Sequence, residues 1–245
     1  MSGMAKTELG RTFLLDFEPD GDPGDLSCHA GGRPAFAHGQ EWPVCPVCNL
    51  RMVFYFQLSL SAEFGLPFET DSMLLVFACS RHAEVRNFPR GMLPKEFWGI
   101  QHQKSKCAAY LNRPGEKILG PREPALLTQL LRAKEHLEKV THYTGSDGTE
   151  NVYGENAFKV SGVPGWLQDP LLYRCCCGAP MSFICQTDGD IGFQRSADAP
   201  RQELELLGGL SCNDERYGIC GIESCYFFGC SKHCDSRAVL VVSQA

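Results

Sequence analysis

Residues 31–57 read GGRPAFAHGQEWPVCPVCNLRMVFYFQ, and residues 161–186 read SGVPGWLQDPLLYRCCCGAPMSFICQ. Both run from a Gly-x-Pro-x-aromatic entry through clustered cysteines to Met-x-Phe and a glutamine. Cys48 and Cys177 lie 129 positions apart, as do Gln57 and Gln186. A second block repeats further on: MLLVFACSRHAEVR at 73–86 matches SCYFFGCSKHCDSR at 224–237. Here Cys79 and Cys230 are 151 positions apart, and so are His82 and His233. Two matched blocks in the same order point to an internal duplication. Chance similarity of cysteine-rich strands is the weaker explanation, because Cys-Ser-basic-His recurs in both.

The blocks predict strands over Met52–Leu60, Met73–Ala78, Met181–Gln186, Cys225–Gly229 and Ala238–Val242, short apolar runs rich in aromatic and β-branched residues. Between the halves the pattern changes. Pro124 suits a first helical turn. Leu126, Leu127, Leu130, Leu131, Leu137 and Val140 fall largely on one helical face, and Glu135 and Lys139 make an i,i+4 pair. That leucine stripe reads as core packing. The expected fold class is therefore α+β: two similar, mostly antiparallel β lobes with a connecting helix. The expected boundaries are an N-terminal segment at 1–27, a first lobe at 28–120, the helix at 121–145 and a second lobe at 146–245. Asp16–Asp25 reads as a solvated acidic loop, and Gly145–Gly148 as the loop opening the second half.

The 245 residues are 43% hydrophobic and 21% charged, enough apolar surface for a core. A net charge of −6 argues against a general nucleic-acid or anionic-membrane binder. The longest apolar run, Met73–Cys79, is too short to span a bilayer. No apolar region of the secretory kind follows Met1, so the expected location is cytoplasmic, with no membrane. Disulfides do not persist there. The 14 cysteines then need another reason, and metal ligation is the leading one.

Cys45-Pro46-Val47-Cys48 precedes a strand, and Cys79-Ser80-Arg81-His82 ends the next one. Antiparallel pairing would bring the two ends together as a Cys₃His set, a donor combination that zinc takes in structural sites. In the second half, Cys177 and Cys230 are the safest ligands by the repeat. Arg174 stands where the first half has Cys45, so the partner of Cys177 shifts, most simply to Cys175. The fourth ligand is His233 by the repeat or Cys234 by softness, and both stay open. Cys176 is a spare neighbour. Cys28, Cys107, Cys185, Cys212, Cys220 and Cys225 read as buried structural thiols. A thioredoxin-like role needs a helix after the second cysteine, and Met52–Phe56 reads as a strand.

Other chemistry fails on spacing. A zinc deaminase needs His-x-Glu before Pro-Cys-x-x-Cys; here His82-Ala83-Glu84 follows the pair and Val44 precedes it. The acidic loop imitates a calcium loop at Asp16, Glu18, Asp20 and Gly21, but Ser27 stands where glutamate is required. No phosphate-binding loop, nucleophile elbow or HExxH occurs. Residues 81–106 carry a local balance of +4 with Phe88, Phe97 and Trp98 interleaved, which suits a protein partner or single-stranded nucleic acid. A solvated linker with a few buried aromatics explains it as well.

Gly31, Gly32, Pro34, Glu41-Trp42-Pro43, the Cys-Pro-x-Cys at 45–48, Met52 and Gln57 resemble the YwqG-like family, as does the run Cys175–Met181. The first half is also similar to the N-terminal region of the programmed cell death 2 family, through the same motifs and through Val85-Arg86-Asn87 and Leu93-Pro94-Lys95. The first resemblance implies a duplicated α+β fold. The second implies chaperone work on a ribosomal protein. The expected function is a zinc-stabilised intracellular protein-binding module, a dedicated chaperone or a toxin antagonist, with no catalytic residues. The alternatives are a zinc-dependent hydrolase or deaminase at His82, Cys45 and Cys48, and a small-molecule binder in a cleft between lobes.

Overall fold

The apolar runs do form strands, but the chain between them does not form the expected helix. The computed structural model describes residues 5–18, 27–82, 85, 87–144, 148–206, 209–213, 215–219 and 223–245. Eleven strands share one sheet: β1 (Ala5–Glu18), β2 (His29–Ala30), β3 (Val53–Leu60), β4 (Ser72–Ala78), β5 (Cys107–Asn112), β6 (Gln129–Thr144), β7 (Glu150–Tyr153), β8 (Lys159–Val160), β9 (Met181–Thr187), β10 (Ser224–Cys230) and β11 (Val239–Gln244). The one α-helix among the described residues is α1 (Phe97–Lys104). The α+β expectation is thus overturned: the fold is nearly all β. No helix is long and apolar enough to cross a membrane.

The connecting helix expected at 121–145 is replaced by β6. Burial alternates along it but on opposite faces at its two ends: Leu131 is buried next to exposed Arg132, whereas Glu138 and Val140 are buried on either side of exposed Lys139, with Leu137 59% exposed. Glu135 and Lys139 do not pair along a helix. Glu135 instead reaches Arg11 across the strands, and Lys139 N–H donates to Glu155. The leucines and charged residues here are strong helix formers, but β1 supplies a partner strand along 14 consecutive positions. Each paired position satisfies backbone groups that an isolated helix would have satisfied itself, so tertiary pairing overrides local propensity.

The strand order runs β11-β10-β9-β8-β1-β6-β2-β3-β4-β5, with β7 beside β6. It reads alike from both ends. The long strands also cross over: β1 leads the first half but pairs with β8 of the second, and β6 leads the second but pairs with β2 of the first. All pairings within this sheet are antiparallel. The end strands β5 and β11 approach each other, with Leu111 N–H donating to Ser236 O at 2.7 Å, so the sheet nearly closes into a barrel. Phe13, Tyr55, Val160, Phe227 and Val239 meet in one interior. The two halves therefore share a core instead of forming two lobes.

Local details recur at the repeat spacing. The sheet register shifts between Phe54 and Phe56 and again between Phe183 and Cys185. Gln57 Oε1 accepts from Ala35 N–H at 3.0 Å, and Gln186 Oε1 accepts from Gly165 N–H at 2.7 Å. Phe36 stacks on Phe77 as Trp166 stacks on Phe228, each at an interplanar angle of 11°. Gly31-Gly32 and Ser161-Gly162 both take positive φ, which turns the chain sharply after a short strand. At the centre, Glu138 and Lys159 form a fully buried ion pair whose carboxylate also accepts the N–H groups of Val163 and Glu155.

Candidate metal centres

Each cluster is assembled from a tight turn before one strand and the end of its neighbour. In the first half, Cys45 N–H donates to Leu50 O and Asn49 N–H to Cys45 O, both at 2.8 Å, and Asn49 sits at φ 60°. This turn delivers Cys45 and Cys48 just before β3. Cys79 follows β4, which pairs with β3, and His82 lies three residues on. In the second half, Cys175 N–H donates to Ala179 O and Gly178 N–H to Cys175 O, both at 2.8 Å, with Gly178 at φ 84°. That turn is one residue shorter. It spaces its ligands Cys-x-Cys before β9, and Cys230 ends the paired strand β10.

The structure brings Cys45, Cys48, Cys79 and His82 together, and separately Cys175, Cys177, Cys230 and Cys234, with all ligand atoms of each set within 4.8 Å of one another. In the first set, Cys48 Sγ is 3.7 Å from Cys79 Sγ, and His82 Nδ1 is 3.4 Å from Cys79 Sγ and 3.6 Å from Cys45 Sγ. In the second, Cys175–Cys234 and Cys177–Cys230 are each 3.5 Å apart, sulfur to sulfur. Ligands about 2.3 Å from a central ion at tetrahedral angles stand roughly 3.8 Å apart. Both clusters have close to that spacing. Each can therefore hold a metal ion.

His233 is not in the second cluster. It takes φ 48° and its Nε2–H donates to Leu111 O at 2.6 Å, across the β5–β11 junction. Burial lowers its pKa, which keeps the imidazole neutral. Cys234, one residue later, completes the set in its place. Cys176 lies alongside, 3.9 Å from Cys175 sulfur to sulfur.

The protein sets the proton affinity of each thiol unequally. Burial pushes Cys79 up to about 12 and raises Cys230 and Cys234. Cys177 falls to about 7, chiefly because Ala179 N–H donates to its sulfur. At Cys45, burial acts upward but is outweighed by the N–H groups of Cys48 and Val47. A metal entering either set must displace protons from the high thiols, so affinity rises with pH. Backbone donors to the sulfurs are a feature of metal-binding turns as well, since they offset thiolate charge.

Sequence reasoning did not connect Trp98 with a metal site. Its Nε1–H donates to Cys175 Sγ at 3.3 Å from within α1. The only hint was an aromatic in a basic stretch. Nearby, Gly91 and Leu93 N–H groups donate to Leu172 and Arg174 carbonyls, and Gly91-Met92 pairs in parallel with Tyr173-Arg174. The chain that leaves the first cluster at His82 therefore lands on the second. Glu84 and Arg86 of that stretch lie outside the described residues.

Of the remaining cysteines, Cys107 and Cys185 are buried free thiols, raised by desolvation, and Cys28 is a half-buried one. Cys225 is buried but disulfide-bonded, contrary to the expectation of a free thiol. The surroundings of Cys212 and Cys220 lie outside what is described. The imitated calcium loop falls away on geometry: Asp16 pairs with Lys134 and Glu18 with Arg132, while Asp20 and Gly21 lie outside the described residues. No family model and no curated protein matches this chain.

Proposed function

We propose that the chain is a zinc-stabilised intracellular protein-binding module descended from a duplicated half. One observation carries the zinc reading: each cluster offers four protein donors, three thiols and an imidazole in the first and four thiols in the second, close to tetrahedral spacing. Sulfur-rich sets of this kind suit zinc, and four protein ligands leave no position for water. Bound zinc would neutralise the thiolates and tie each turn to its strand pair. The hydrolase or deaminase alternative needs an open position. Cys79, 3.4 Å from His82 Nδ1, would occupy it. The resemblance of the first half to the programmed cell death 2 family supports a protein partner, held as a chaperone or toxin antagonist would hold it.

The test is metal analysis of the natively purified chain, joined to X-ray absorption at the zinc edge. Two zinc ions per chain with sulfur-dominated four-fold shells are expected. A light-atom oxygen in either shell would favour the catalytic alternative, and absence of zinc would overturn the reading.

A further inference from the structure

The second cluster holds more sulfur than four ligand positions need. Cys175, Cys177, Cys230 and Cys234 fill those positions, and Cys176 stands 3.9 Å from Cys175, sulfur to sulfur. The four ligand sulfurs also fall into two matched couples. Cys177 Sγ is 3.5 Å from Cys230 Sγ, and Cys234 Sγ is 3.5 Å from Cys175 Sγ. In each couple one residue is exposed, Cys177 or Cys234, and its mate is buried, Cys230 or Cys175. Both couples join the same two pieces of chain: the turn before β9, and the chain at and just beyond the end of β10.

The first cluster lacks this arrangement. It has three sulfurs and an imidazole, so a disulfide within it leaves one sulfur without a mate. The nearest sulfur couple, Cys48 and Cys79, is 3.7 Å apart, and Cys45 stays beside His82. None of its cysteines is exposed: Cys45 and Cys79 are buried and Cys48 is half-buried. A metal-bound cysteine is a thiolate, and thiolates are oxidised according to their access to the oxidant. Cys177 and Cys234 meet both conditions in the zinc-loaded chain.

We propose that the second cluster is a thiol-oxidation site for peroxides, at which Cys177 joins Cys230, Cys234 joins Cys175 and the zinc is released, while the first cluster keeps its metal. This rests on the zinc reading of both sites. The Cys177 thiolate attacks one oxygen of hydrogen peroxide. The O–O bond breaks, Cys177 becomes a sulfenic acid, and the other oxygen leaves as hydroxide. The Cys230 thiolate then attacks the Cys177 sulfur, so that an S–S bond forms, the S–O bond breaks and a second hydroxide leaves. The couple gives up two electrons, the peroxide accepts them, and two protons from solvent turn the hydroxides into water. Cys234 and Cys175 react alike with a second peroxide. Each couple closes by about 1.5 Å to reach disulfide length. The two disulfides tie the turn to the end of β10, as the metal did, so the strand pair stays joined. A dithiol, itself oxidised to a disulfide, returns the four thiols by exchange.

The experiment adds hydrogen peroxide to the full chain purified anaerobically with its zinc. Released zinc is followed with a chromogenic chelator, and disulfides are mapped by mass spectrometry with fragmentation of the linked peptides. One zinc is expected to leave at least about tenfold faster than the other, as exposure of its thiolates dictates. Links Cys177–Cys230 and Cys175–Cys234 appear at the rate of its release, and a dithiol with added zinc restores both metal ions. Cys176→Ser releases the same zinc at the same rate with the same links. Loss of both zinc ions at one rate overturns the proposal. So do release without a disulfide among the four ligands, a Cys175–Cys176 link as the main product, and a Cys176→Ser variant that resists peroxide. Zinc analysis before the peroxide is added separates the two levels. A chain that carries fewer than two zinc ions overturns the zinc reading and the proposal with it, whereas two zinc ions that both survive peroxide overturn the proposal alone.

Discussion

The first cluster ends on His82 and the second on Cys234, although His233 stands at the position equivalent to His82. The difference follows from what comes next in the chain. After Cys79 the chain leaves the sheet for 27 residues before β5 begins, so His82 can turn inward to the sulfurs. After Cys230 it must return at once to β11 beside β5. His233 is used there to satisfy Leu111 O, and Arg113 donates to the carbonyl of His233 at 2.9 Å. The lost donor is replaced by a neighbouring cysteine. The burial differs as well: Cys177 and Cys234 are exposed, whereas every ligand of the first cluster is at least half covered. Equivalent sequence positions therefore carry equivalent strands and turns, but the side chain that completes a site answers to its local surroundings.

The largest way to break this comparison is to remove one equivalent sulfur from each cluster. Cys79→Ser and Cys230→Ser should each release one zinc and cost about 4 kcal/mol or more, the range of lost metals and similar failures. The damage should differ in place. Hydrogen exchange in Cys79→Ser should rise at the turn 43–51 and in the adjoining ends of β3 and β4. In Cys230→Ser it should rise at 173–180 and also at 91–104, because Gly91, Leu93 and Trp98 hang on the second turn. Equal exposure of 91–104 in both variants would show that the crossing segment depends on its root at His82 instead.

A smaller perturbation sharpens the same contrast. Trp98→Phe keeps an aromatic ring against Phe97, which meets Trp98 at a 4.9 Å centroid distance, and removes the indole N–H together with part of the buried bicycle. Hydrogen bonds to ligand atoms typically change metal affinity about 10–100-fold when lost. Competition with a chelator should thus show one zinc held about tenfold more weakly and the other unchanged. If both sites weaken together, the indole acts through the fold rather than through the Cys175 sulfur.

How much of this was legible in the sequence depends on the range of the forces involved. The strands around Cys48 and Cys79 carry their own pattern of aromatic and β-branched residues, and the matching blocks predicted which strand ends meet. The ligand turns were legible for the same reason, since cysteine spacing is a local property. β6 was not legible. LLRAKEHLEKV is a good helix by propensity and periodicity, and it becomes a strand only because β1, more than a hundred residues earlier, lies along it. The shared interior could not be read either, because the exchange of β1 and β6 between halves leaves no trace in composition. Nothing around Glu138 in the sequence marks it for burial, and its pairing with Lys159 depends on that exchange. The matching blocks left His233 and Cys234 as alternatives, because a matched position says nothing of the Leu111 carbonyl that the His233 side chain faces.

The weakest test concerns the outer face of the same central pair, where the halves meet. His142 on β6 lies 3.1 Å from Glu8 on β1 and 3.0 Å from Glu150 on β7. Hydrogen bonds from the imidazole to Glu150 and then Glu8 raise its pKa above the ordinary 6.5. The bonds from His142 and Lys6 hold Glu8 below the ordinary 4.5. The two shifts act in opposite directions on stability. The histidine contribution is fully present below 6.5 and is lost as pH rises through its raised folded value. The glutamate contribution is present above 4.5 and is lost as pH falls through its lowered folded value. Both are complete only between those two ordinary values. All three side chains are solvent-facing, so salt should weaken the effect. Denaturant unfolding of wild type and Glu8→Gln should differ most at about pH 5.5 and least above about pH 8, where only the exposed Lys6–Glu8 pair remains. A difference that stays constant from pH 5 to pH 9 would mean that the β1–β6 pair draws nothing from this ion pair and is held by its backbone ladder and buried face alone.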